Sequence, residues 1–168
     1  MKLTLLSLTL LLSLVGLSYG QDGVPRKFTS KSEGFSVVVP CNFSVRREAD
    51  PTNNTSSVEH SCLADESLYL VRKDIGLPIL NTKESFDAFT RGVVEGMEGT
   101  LLRQSEITLG KIVGRELLVE TEINGDKIVF KMRILTTENG VLTYGGGRRK
   151  ANEDLSPIDK FLDSFSIE

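Results

Sequence analysis

The amino-acid sequence predicts an α+β protein in which helices cover an antiparallel sheet. A two-residue hairpin signal lies inside a long alternating segment, GRELLVETEINGDKIVFKMRILTT. Shorter apolar or alternating segments on both sides of it are bounded by glycine, proline and asparagine. Helix-start signals followed by helical spacing stand after Asn81 and at Ser156. Several strands, one helix, a long meander and a short helix make the pattern of helices laid on an antiparallel sheet.

In chain order, the first element is a leader. Lys2 supplies a positive start, Leu3 to Leu17 an apolar run, and Ser18, Tyr19 and Gly20 a small-residue end, so residues 1–20 predict a secretory signal peptide cut near Gly20. A membrane-spanning helix needs roughly 20 apolar residues. This run is interrupted by Ser7, Ser13 and Gly16 and is followed by no stop-transfer pattern, so no transmembrane anchor is expected. No cysteine stands at the cleavage point to take a lipid. The expectation is therefore a secreted or periplasmic protein, with residues 21–26 as a flexible lead and 27–168 as a single domain.

Charge and composition narrow the partners. Removal of Lys2 with the leader leaves 19 basic against 23 acidic residues, a net charge of about −4. That argues against nucleic acid, whose binders carry a basic face. The absence of tryptophan lowers the weight of a carbohydrate-binding role, since sugar sites lean on large aromatic faces.

GFSVVVP predicts the first strand, closed by Pro40, and SSVEHSCLA and SLYLVRKD the next two. Asn81 with Glu84 resembles a capping box, after which Phe86, Phe89, Val93 and Met97 share one helical face that ends near Gly99. In the long segment, Asn124-Gly125 predicts a type I′ turn, which pairs residues whose numbers sum to 249. That register sets Val119 against Phe130 and Leu117 against Met132 on one face, and Glu122 against Lys127 and Glu116 against Arg133 on the other. Apolar meets apolar and acid meets base, so turn chemistry and binary pattern agree. A turn at Asn139-Gly140 leads to the strand VLTYGGG, and Ser156-Pro157 reads as cap and first position of a short helix running toward a last strand.

The stretch PCNFSVRREADPTNNTSSVEHSC holds both cysteines, Cys41 and Cys62, and the single histidine, His60. Export favours a Cys41–Cys62 disulfide, worth about 3 kcal/mol for a loop of this length. The competing reading starts from His60 and Cys62, two apart on a strand and so on one face. With Cys41 they would make a three-ligand zinc or copper site or a Cys-His dyad, although no fourth ligand is evident. GGGRRK offers glycine amides with Arg148, Arg149 and Lys150 as an anion contact, against the blander reading of a flexible strand exit with solvated charges. Arg46 and Arg47, in what reads as a long loop, invite the same comparison. Asn42-Phe43-Ser44, Asn53-Asn54-Thr55 and Asn54-Thr55-Ser56 are glycosylation acceptor sequences, relevant only in a eukaryotic source. No nucleophile elbow, P-loop or dinucleotide fingerprint occurs, and no cofactor is expected.

Phe28 before GFSVVVP, SLYLVRKD, the Phe86/Phe89 helix, GKIVGRELL, NGVLTY and the closing FLDSFSI together resemble the PsbP/Mog-like family, which includes DcrB-like exported proteins. The resemblance spans nearly the whole mature chain and implies an α/β/α sandwich with a central antiparallel sheet flanked by helices. It also implies a non-enzymatic role: the PsbP subunit docks on photosystem II, and Mog binds the GTPase Ran. No binding residue of either carries over by motif. The functional expectation is a non-catalytic binding or assembly module for a protein or envelope partner. The alternatives are a small metal- or thiol-dependent protein using Cys41, His60 and Cys62, and a small-ligand carrier.

Overall fold

The computed structural model describes residues 24–152 and 154–168; the leader expected over residues 1–20 lies outside them. Ten strands and two helices occur among the described residues, in the order β1 (Arg26–Ser30), β2 (Phe35–Val39), β3 (Ser44–Asp50), β4 (Thr55–Ala64), β5 (Ser67–Ile75), α1 (Lys83–Gly96), β6 (Thr100–Leu109), β7 (Ile112–Ile123), β8 (Asp126–Thr137), β9 (Gly140–Arg149), α2 (Ser156–Asp163) and β10 (Ser166–Ile167). They form a seven-stranded sheet, β3-β4-β5-β9-β8-β7-β6, and a three-stranded one, β1-β2-β10. Every pairing is antiparallel.

The β7–β8 hairpin has the register that its turn dictates. Asn124 and Gly125 take φ of 53° and 84°, as a type I′ turn requires. Leu117 pairs with Met132, Val119 with Phe130, Glu116 with Arg133 and Glu122 with Lys127.

Successive strand residues point to opposite faces, and the large sheet is apolar on both. Leu135 and Leu142 join Tyr69, Val71 and Tyr144 in a core closed by Phe35, Val37 and Val39 of β2 and by Ile158, Phe161 and Leu162 of α2. Their neighbours Ile134 and Val141 turn the other way, joining Leu117, Val119, Phe130 and Met132 beneath Phe86 and Val93 of α1. The layers are thus α1, the large sheet, and a mixed layer of α2 and the small sheet. This corrects the simple α/β/α sandwich: the second covering layer is largely sheet, because β2 carries as much of that core as α2 does.

Other expectations shift as well. β1 starts at Arg26, inside the predicted lead, because Arg26–Ser30 pairs with Val39–Phe35. The supposed loop after Cys41 contains β3, and β6 adds an edge strand beyond the hairpin. The cap of α1 is Thr82 rather than Asn81: its side chain accepts from the Ser85 amide while the Ser85 hydroxyl accepts from the Thr82 amide. Ser156 is already helical, and the Asp154 carboxylate accepts its amide hydrogen.

GGGRRK is no flexible exit. Gly145, Gly146 and Gly147 lie in β9 at the centre of the large sheet. A Cβ on Gly147 would fall 2.3 Å from the Phe130 ring, and one on Gly146 would fall 2.6 Å from Cδ1 of Ile158. The bare backbone lets a ring and a helix side chain press on the strand from opposite faces.

Candidate functional site

The staple and the histidine meet where the two sheets touch. Cys41 follows β2 and Cys62 lies in β4, so their disulfide joins the small sheet to the large one, with Cα atoms 6.0 Å apart. The two strands that the bond links are not partners in one sheet: β2 pairs with β1 and β10, and β4 pairs with β3 and β5. Both sulfurs are consumed by this bond. As drawn, the three-residue metal site or dyad has no thiolate to offer.

His60 is 3% exposed. Its ring lies 5.2 Å from the Phe28 ring, 5.5 Å from Phe35 and 5.8 Å from Phe43, centroid to centroid. Its Nε2 faces Oε2 of Glu33 at 3.5 Å, too long for a good hydrogen bond. Neither imidazole nitrogen, nor that carboxylate oxygen, finds a hydrogen-bond partner among the described residues. Burial pushes the imidazole's proton affinity down; the Glu33 charge works against that, and Arg47 adds to it. Glu33 is placed by the β1–β2 turn, where the Gly34 amide donates to the Ser30 carbonyl and Lys73 from β5 donates to the Glu33 carbonyl at 2.8 Å. Arg47 from β3 approaches the other carboxylate oxygen at 3.9 Å. Nothing in the sequence marks Glu33, because KSEG reads as an ordinary polar turn. Only the fold brings it to a histidine 27 residues away.

The anion-contact residues diverge. Arg148 donates to the Asp154 carbonyl at 2.9 Å, Arg149 pairs with Asp126 at 3.1 Å, and Lys150 binds Glu120. The Lys150 hydrogen bond holds the Glu120 carboxyl below its usual range. Three side chains with three separate partners form no common cradle. Arg46 pairs with Glu48 along β3, leaving Arg47 as the one of that pair turned toward Glu33.

Two further charge clusters brace the layers. Arg133 donates to Glu116, to Asp163 and to the Leu162 carbonyl, tying β7, β8 and the end of α2 together. Arg115, buried on β7, donates to Asp87 of α1 and lies 5.4 Å over the Phe86 ring. Asn53 and Asn54 occupy the exposed β3–β4 turn, where Asn53 bonds Asp50; Asn42 is exposed and accepts from Arg26.

The edges differ from the centre. β6 is exposed along most of its length, with Leu102 at a bulge and 49% exposed. Among the described residues no helix is long and apolar enough to cross a membrane.

An antiparallel sheet with α1 on one face and a small sheet with α2 on the other defines a PsbP-like fold. The solution structure of cyanobacterial PsbP (CyanoP) from Synechocystis sp. PCC 6803 superimposes with a TM-score of 0.61 at 14% identity, covering 90% of this chain and 98% of that one. No protein-family model and no curated protein matches the sequence. The likeness extends to fold and, at this identity, no further.

Proposed function

We propose that this chain is an exported, non-catalytic accessory module that binds or assembles with a protein or envelope partner. The observation that supports it is the PsbP-like fold running nearly end to end, in a family whose resemblance implies docking rather than chemistry. The leader in residues 1–20 and the Cys41–Cys62 disulfide agree with an oxidising, exported setting. A carrier would hold a ligand between helix and sheet, whereas Phe86 and Val93 on one face and Ile158, Phe161 and Leu162 on the other fill those spaces with side chains.

Native mass spectrometry of the secreted protein, with metal analysis, separates the readings. The module predicts the mass of the disulfide-bonded chain alone. A stoichiometric metal or a co-purifying small molecule would overturn it in favour of a metal protein or a carrier. Photo-crosslinkers placed at Leu102 on β6 and at Val45 on β3, both exposed, are then expected to give a discrete product with one envelope component in the source cells. Absence of any position-dependent product would count against docking.

A further inference from the structure

We propose that His60 and Glu33 form a pH-sensitive latch that holds the small sheet against the β3–β4 edge and opens as the surroundings become acidic. His60 stands on β4, in register with Val45 of β3 and Val71 of β5. The charged groups that face the pair are Glu33 itself from the β1–β2 turn, Arg47 from β3 and Lys73 from β5, whose ammonium is engaged by the Glu33 carbonyl. β1 and β2 present only the rings of Phe28 and Phe35, and the segment after Cys41 presents Phe43.

Neutral imidazole suits this site. With its single N–H on Nε2 it faces the carboxylate, and the lone pair on Nδ1 is left in the aromatic cage. A second proton would put a charged N–H on Nδ1, for which the described residues hold no acceptor; burying an unpaired charged donor is strongly unfavourable. Arg47, already beside the same carboxylate, weakens what Glu33 can return. The least costly way to accommodate the proton is to expose the ring, which parts the aromatic contacts of Phe28 and Phe43. The Cys41–Cys62 bond keeps the layers tethered, so the opening is local and reversible.

The sign follows from burial, which lowers the histidine's affinity for protons in the closed form. The open form then binds more protons, so opening is promoted as pH falls through about 6.5, by up to about tenfold per pH unit, until the closed form itself protonates. Glu59 on β4 does not produce this effect. Burial raises its carboxyl, which favours the closed form on acidification, the opposite direction.

The chain has a single histidine, so its ring proton resonance in NMR reports this titration unambiguously. The expected midpoint lies below 6.5, and amide exchange in β1–β4, corrected for intrinsic rate, should reveal about tenfold more opening per unit below pH 6.5 while β7–β8 stays constant. A midpoint at or above 6.5, or an opening shared equally by β7–β8, would overturn the latch. Glu33→Gln is expected to move the midpoint lower still, because it removes the charge that supports the imidazolium; an unchanged or raised midpoint counts against the pairing. His60→Gln should abolish the pH dependence in β1–β4, and its persistence in that variant would refute the assignment. If that variant fails to fold, the wild-type titration and Glu33→Gln decide.

Discussion

The two ends of the large sheet are fastened by different means. At the β6–β7 end, strand alternation and the stripe of α1 do the work: Leu117, Val119 and Phe130 meet Phe86 and Val93 without any covalent aid. At the β3–β4 end the strands are poor in large apolar residues, since SVRREAD is exposed at nearly every position. There a second sheet, a disulfide and a ring of aromatics around His60 supply what the strands lack. A segment with little apolar surface of its own is kept in place by cross-linking and by borrowed aromatic burial.

Truncating one buried ring at each end tests this division most severely. Phe35 is fully buried between Phe28, His60 and Phe165, so Phe35→Ala is expected to cost about 4–5 kcal/mol in urea unfolding, the upper part of the range for such changes. Phe86→Ala, on the buried face of α1, should cost about 3 kcal/mol. Equal losses would mean that the aromatic end is no more dependent on its rings than the helical end.

Removing the disulfide comes next. Replacing Cys41 and Cys62 by serine should lower stability by about 3 kcal/mol, with amide protection lost first in β3 and β4 and last in β7 and β8. A uniform loss would show that the staple acts on the whole unfolded chain and has no special bearing on its own end.

How far each end could be read from sequence follows the same division. The β7–β8 hairpin was legible because Asn124-Gly125 fixes a turn, and the register that turn dictates pairs apolar with apolar and acid with base. β3 was not, because SVRREAD lacks alternation and becomes a strand only through β4. The strand β6, TLLRQSEITL, is hidden for a similar reason: as an edge it buries almost nothing. The cysteines pointed to a disulfide from compartment alone, yet its placement between two sheets, and the arrival of Glu33 at His60, depend on tertiary folding that no local spacing encodes. Residues 145–147 admit two readings, the end of the strand VLTYGGG and a flexible exit with solvated charges; the strand holds, because the bare glycines serve a crowded centre.

That crowding predicts a smaller effect shared by neither end. Gly147→Ala would push a methyl group into the Phe130 ring, and overpacking of this kind costs about 1–3 kcal/mol. Pairing it with Phe130→Leu, which vacates the ring, should recover part of the loss, as measured by a double-mutant cycle. Independent, additive losses would place the strain in the β9 backbone and not in the ring contact.

The smallest effect concerns where α1 begins. Two frames compete in ILNTKES: Asn81 with Glu84, and Thr82 with Ser85. Both place a capping side chain three residues before a polar acceptor or donor, so composition alone does not choose between them. The choice falls to the helical face. Starting at Lys83 puts Phe86, Thr90 and Val93 toward the sheet and sets Asp87 where Arg115 can reach it. Thr82→Ala should therefore cost about 1 kcal/mol, the usual price of a lost cap, while Asn81→Ala changes stability by only a few tenths. The reverse order in thermal or urea unfolding would shift the helix start back by one residue and, with it, the docking of α1 that distinguishes the β6–β7 end from the stapled one.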